Sequence, residues 1–175
     1  ASQSRDTREV AESLASPVLE PIFYQKHMTH HMLPDWPLDW MKLVKNVFLI
    51  RHPARFVACY AAKREAPTLV DIGFVQQAQI MERVEKPIVV DASDIRLDPA
   101  AMLQRLSAVL GIAWTEKMLS WPAGGHASDG VWAAHWYGAV HRSTGFAGPE
   151  EPLPEVTGPL AEVVDAAMPY YEAMA

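Results

Sequence analysis

The stretch Val47–Arg64, VFLIRHPARFVACYAAKR, decides the fold. Its apolar start has the length and β-branched content of a buried strand and ends at Arg51. Pro53 follows two residues later, where a proline suits the first turn of a helix, and the helix is expected to run on through Lys63 and Arg64. A strand that ends in arginine and turns at once into a helix makes a site for a phosphate or sulfate. The guanidinium supplies fixed charge, and the first free N–H groups of the helix point the same way. The plainer alternative is that Arg51 pairs with a surface carboxylate.

Working outward, the pattern repeats. Arg5–Leu14 reads as a polar helix with Val10 and Leu14 four apart, closed by the prolines of PVLEP. PIFYQK, Pro21–Lys26, is short, apolar and aromatic, and reads as a strand. Asp71–Glu85, DIGFVQQAQIMERVE, reads as one helix with Phe74, Ala78 and Met81 on one face, followed by the buried strand PIVVDA. The clearest helix follows Asp98 as cap, with Pro99 at its first position and Gly111 as its stop. Its apolar stripe of Met102, Leu103, Leu106, Val109 and Leu110 is expected in the core. Short buried strands alternating with helices define an α/β class, a parallel sheet flanked by helices on both faces, with ligands at the carboxyl ends of strands. Lys26 with His27 and Arg51 with His52 both stand at such ends. A proline-rich connection, AGPEEPLPEVTGP, leads to a last helix over Leu160–Met174, expected to be interrupted at Pro169.

With 175 residues, half of them hydrophobic, the chain fits a single domain spanning residues 1–175. The one cysteine, Cys59, excludes an internal disulfide and a cysteine-cluster metal site. No start resembling a signal peptide and no apolar run of about 20 residues is seen, so the expectation is a cytoplasmic protein with no membrane partner. The net charge of −6 hides an asymmetry. Residues 1–64 carry nine Lys or Arg against six Asp or Glu, whereas residues 143–175 carry six acids and no base. Nucleic acid is therefore not an expected partner, while a small anion near the basic first third is.

Three of the seven histidines, His27, His30 and His31, crowd into PIFYQKHMTHHMLP. Either something there is bound or deprotonated, or they are incidental residues of a solvated turn. Their spacing would let a helical turn bring them to one metal, but no carboxylate lies in the same run, so no metal site is assigned.

The Val47–Arg64 segment resembles the strand and helix of sulfotransferases that use 3′-phosphoadenosine-5′-phosphosulfate. In that family an arginine, a proline two residues on and a serine eight on serve the 3′-phosphate. Arg51 and Pro53 match, and Cys59 stands at the serine position as a weaker donor. VVDASDIRLDPAAMLQRLSAVLGI resembles the family's strand, acidic turn and capped helix. YQKHM, DGVW, HWY and STGF are similar to stretches of a bacterial sulfotransferase-like branch. The resemblance implies a fold of the P-loop nucleotide hydrolase type and the phosphosulfate nucleotide as co-substrate, with no metal. It implies cofactor binding by Arg51, Cys59 and, more weakly, Lys26. It also implies His27 as the base that deprotonates a hydroxyl or amine of a small-molecule acceptor.

The family's N-terminal strand and phosphosulfate loop have no counterpart before Pro21, since the first glycine is Gly73, so the domain reads as incomplete at its N-terminus. Activity is accordingly expected of the intact protein more than of these residues alone. The late segment GGHASDGVWAAHWYGAVHRSTGF is similar in position to a loop that closes on the nucleotide, with Trp132, Trp136, Tyr137 and Arg142. Its plainer reading is core packing by Val131, His135 and Trp136. Met28, Met32, Trp36 and Trp40 are candidates for an apolar acceptor wall or for ordinary packing. The leading function is sulfuryl transfer. The alternatives are a non-catalytic nucleotide-binding or interaction module on the same fold and, third, a metal-dependent hydrolase.

Overall fold

The structure is a computed structural model that describes residues 6–62, 66–127, 129–131 and 133–175. The expected helix start at Arg5, the helix end at Lys63 and Arg64, and Trp132 lie outside the described residues. Helix α1 is Thr7–Leu14, capped by the Asp6 carboxylate, which accepts from the N–H groups of Arg8 and Glu9. Strand β1 is Val47–Ile50, α2 is Pro53–Ala61, α3 is Leu69–Ile72, α4 is Phe74–Met81 and β2 is Ile88–Asp91. Then come α5, Ala92–Leu97; α6, Pro99–Leu110; α7, Ala133–Trp136; α8, Gly138–Arg142; and α9, Pro159–Met174. The described residues form two compact units, residues 1–91 with 152–175, and residues 92–151.

In the first unit β1 and β2 pair in parallel, Val47 with Ile88 through Ile50 with Asp91. Phe48 and Ile50 point inward into two neighbouring apolar clusters. Phe48 packs with Ala11, Met32, Trp40, Met41 and Ile80, and Ile50 with Val57, Ile72, Phe74, Ala167 and Met174. Val89, the partner of Phe48, touches both clusters. The sheet is parallel as its residues require, but β1 is not covered on both faces, because Val47 and Leu49 remain 39% and 57% exposed. On that second face Val90, the partner of Leu49, is nevertheless buried, so the face is covered at β2 and open at β1.

Several local expectations are corrected. PIFYQK is not a strand; residues 22–28 carry no regular structure, and Ile22, Phe23 and Tyr24 are exposed. A β-prone sequence becomes a strand only when a ladder partner completes its hydrogen bonds. Side chains hold this segment instead. Gln25 donates to the Leu14 carbonyl at 2.6 Å, and Thr29 donates to the Gly73 carbonyl at 3.0 Å.

The single helix expected over Asp71–Glu85 breaks at Gly73, whose φ of +73° closes α3 and opens α4. A Cβ there would sit 2.8 Å from Thr29 Oγ1 and 3.0 Å from the His30 backbone nitrogen. Gly73→Ala is therefore expected to cost about 2 kcal/mol or more, since a left-handed backbone penalises any Cβ and the 29–30 segment has to retreat as well. Urea unfolding checks this, with an unchanged midpoint counting against the close approach.

In the last helix Pro169 causes no interruption; α9 runs through it. The lost N–H bond to the residue four back is outweighed by burial on either side, with Ala167 fully buried and Met174 3% exposed. The acidic turn expected after β2 is the short helix α5.

In the second unit α6 begins and ends as its residues dictate, with Asp98 accepting from the Ala101 N–H and Gly111 left-handed at φ +70°. Its stripe is not core, however. Met102, Leu103, Leu106 and Leu110 are only half-buried, Val109 is 58% exposed, and the one buried residue of α6 is Ser107. Val131 and Trp136 are exposed too, so the late segment does not pack as a core helix.

Candidate functional site

The strand end at Arg51 is built as the sequence implies, with one difference at the helix. Arg51 is half-buried directly after β1, and Pro53, fully buried, is the first residue of α2. His52 is the cap. Its Nδ1 accepts the Ala54 N–H at 3.2 Å, and its carbonyl accepts from Arg55 and Phe56 at 3.0 and 3.2 Å. Proline has no N–H, so the first turn of α2 already has its donors occupied. The expectation of free helix N–H groups for an anion is thereby corrected. What this end offers is side chains, Arg51 and the edge of His52 whose Nε2 must carry the ring hydrogen when Nδ1 accepts.

Asp91 closes β2 beside Ile50, and Tyr171 of α9 donates to its carboxylate at 2.7 Å. The Tyr171 ring meets the edge of His52 with centroids 5.5 Å apart. The carboxyl ends of both strands and the C-terminal helix thus converge on Arg51, His52, Asp91 and Tyr171, as open parallel sheets arrange their ligand sites. Sequence reasoning found the first two of these residues. Asp91 and Tyr171, 80 residues apart, offered it no local signal. Cys59 lies on α2 with an exposed, free thiol, six residues past Pro53 and so about 9 Å further along the helix axis.

His27 sits on the irregular segment, with Nε2 3.1 Å from Gln25 Oε1 and its ring against Trp40, centroids 5.1 Å apart. The residue as a whole is exposed, but the buried indole shields the ring from water, and that desolvation pushes its pKa below the ordinary value. A ring-resolved NMR titration should place the His27 midpoint below ~6.5, and Trp40→Ala should bring it back up. A midpoint at or above that value would count against the shielding. The sign follows for stability: the unfolded chain takes this proton more readily, so the His27 contribution to folding declines as pH falls through the unfolded value.

Lys26 is exposed. Residues 22–28 are not a strand, so no alternation of faces sets Lys26 apart from His27. His30 and His31 lie in a short 3-10 turn, Thr29–His31, with their rings in edge contact at 4.1 Å. Among the described residues no three His, Cys, Asp or Glu side chains are gathered as a metal site needs. Met32 and Trp40 belong to the core, and Trp36 packs against it; Met28, 39% exposed, is left as acceptor-wall surface. His27 and Arg51 are carried by different clusters of one unit, for Trp40 under His27 belongs to the first and Ile50 before Arg51 to the second.

The whole chain, residues 1–175, matches the family described as sulfotransferase domain. The chain belongs to that family. Among curated relatives it is 32% identical over 154 residues to branched-chain-amino-acid aminotransferase-like protein 1 of Arabidopsis thaliana, covering 85% of this chain and 27% of that protein. It is 31% identical over 130 residues to branched-chain-amino-acid aminotransferase-like protein 2 of the same plant, covering 72% and 23%. The chain thus spans about a quarter of the length of these relatives. No solved structure matches it significantly. No helix among the described residues is long and apolar enough to cross a membrane.

Proposed function

We propose that the intact protein transfers a sulfuryl group from 3′-phosphoadenosine-5′-phosphosulfate to a hydroxyl or amine of a small-molecule acceptor, on a fold of the P-loop type. The observation that carries this is Arg51, half-buried at the end of a parallel strand that turns directly into a helix, in a chain of the sulfotransferase family. Arg51 binds the 3′-phosphate through its planar fork. His52 Nε2–H is a second donor at the same strand end. Cys59 takes the serine position with a weaker hydrogen bond, and Lys26 steadies charge on the sulfuryl oxygens.

His27 is the proton acceptor, and its depressed pKa keeps it neutral, hence competent as a base, at pH 7. As the acceptor oxygen or nitrogen attacks sulfur, its proton passes to His27 and the bond from sulfur to the nucleotide phosphate breaks in line. Positioning and electrostatic stabilisation supply most of the acceleration, as in phosphoryl transfer.

A second reading, a nucleotide-binding or interaction module without turnover, is favoured by one observation, the cysteine at the family's phosphate-binding serine position. The test is turnover of a sulfur-labelled donor by the intact protein over a panel of hydroxyl and amine acceptors. Transfer supports the enzyme. Tight binding of adenosine 3′,5′-bisphosphate without transfer supports the module, and neither result would end both readings.

A further inference from the structure

The second unit holds a carboxylate-oriented histidine that neither Arg51 nor His27 involves. His141 Nε2 lies 3.0 Å from Asp129 Oδ2, with the two side chains 31% and 26% exposed. The same oxygen of Asp129 accepts the His126 backbone N–H at 2.9 Å, which fixes the carboxylate independently of the ring. His141 is fixed as well. Its N–H bonds to the Tyr137 carbonyl at 2.8 Å, and its own carbonyl accepts from Gly124 at 2.7 Å. Gly125 leaves room for the pair, because a Cβ there would lie 3.1 Å from His141 Cε1 and 3.2 Å from Asp129 Oδ2. The Tyr137 ring meets the imidazole edge-on at 6.0 Å. Just beyond, Leu119–Trp121 and Ser143–Gly145 are tied by the Ser120–Gly145 bridge and by Trp121, whose N–H donates to the Thr144 carbonyl and whose Nε1–H donates to Ser143 Oγ, both at 3.0 Å.

Asp129 is held below the usual carboxylate range, first by the His126 N–H and then by His141. An ionised carboxylate only accepts hydrogen bonds, so the imidazole must present Nε2–H to it. That leaves the lone pair on Nδ1, the arrangement by which a carboxylate fixes the tautomer and orientation of a catalytic histidine and stabilises the imidazolium that forms.

We propose that His141 and Asp129 form a proton-accepting site of their own, in which His141 Nδ1 takes a proton from a hydroxyl or amine group of a bound ligand. The ligand's O–H or N–H bond gives its proton to the Nδ1 lone pair and keeps the electron pair. The ring becomes imidazolium, and Asp129 stays ionised to balance it. Asp129 bonds the ring and the Tyr137 ring meets it edge-on, while His126 acts on Asp129 through its backbone N–H. The ligand is distinct from the sulfuryl acceptor, whose proton His27 takes, and the pair is tested without nucleotide.

Nitrogen-15 NMR of the neutral ring is expected to show His141 protonated at Nε2 and bare at Nδ1. Diethyl pyrocarbonate, mapped by mass spectrometry, is expected to acylate His141 several-fold faster than His126 or His135. Asp129→Asn, which keeps an oxygen for the His126 N–H, should slow that acylation several-fold. A ring protonated at Nδ1 overturns the proposal, as does His141 reactivity no greater than its neighbours' and indifferent to Asp129→Asn.

Discussion

Arg51→Ala is expected to weaken binding of adenosine 3′,5′-bisphosphate by about 100-fold, close to 3 kcal/mol, the upper range for a hydrogen bond made by a charged group. Arginine at this position offers two parallel N–H donors to one phosphate, so Arg51→Lys should recover the charge but little of the affinity. The size of the loss rests on how the end of α2 is built. With Pro53 lacking an N–H, Ala54 bonded to the His52 ring, and Arg55 and Phe56 bonded to the His52 carbonyl, the backbone cannot take over the anion. A site that leaned on helix N–H groups would lose far less. Isothermal titration of the two variants against wild type measures this, and binding within about threefold of wild type for Arg51→Ala would move the phosphate away from this strand end. Cys59→Ser is the informative companion, since a hydroxyl is the better donor and should tighten binding if the thiol faces the phosphate.

What could be read from the residues was what neighbours in sequence decide. The strand–arginine–proline–helix unit, the Asp98 cap and the Gly111 stop are all settled within one or two turns of chain, and they stand as read. PIFYQK failed because strand formation needs a partner, and partners are a tertiary matter; the same apolar content that suggests β-structure lies exposed in an irregular segment. The apolar stripe of α6 has the right period but only half-buried residues, since periodicity reports which face is apolar and not how much of it another element covers. Gly73 was visible as the first glycine, yet its role depends on Thr29 and His30 approaching from 44 and 43 residues away. In the candidate sites the pattern repeats. Arg51 announces itself through its local setting, while the Tyr171 bond to Asp91 and the Asp129 bond to His141 join residues 80 and 12 apart that no spacing rule connects.

Phe74→Ala is expected to be the most destabilising single substitution proposed for the chain, costing about 3–5 kcal/mol through lost burial and the cavity left behind. Phe74 is 3% exposed and begins α4 immediately after the left-handed Gly73, so its ring has one direction to go. There it meets Phe56 of α2 edge-to-face at 5.7 Å, in the cluster that also holds Ile50, Val57, Ala167 and Met174. The residues that fix Arg51 are the residues around this ring. Ile50 precedes it on β1, Val57 and Phe56 stand on the helix after it, and α9 brings Tyr171 to Asp91. Small domains hold about 5–15 kcal/mol in all, so the loss removes a large share of the total. Collapse around the cavity would also let α2 and α9 shift against the strand end, so nucleotide affinity should fall in the same variant although Phe74 is fully apolar. Phe74→Leu separates the two effects, because it restores most of the volume and should recover stability and binding together. Urea unfolding and nucleotide titration on both variants decide the matter, and stability lost without any change in binding would show that the Arg51 site does not depend on this cluster.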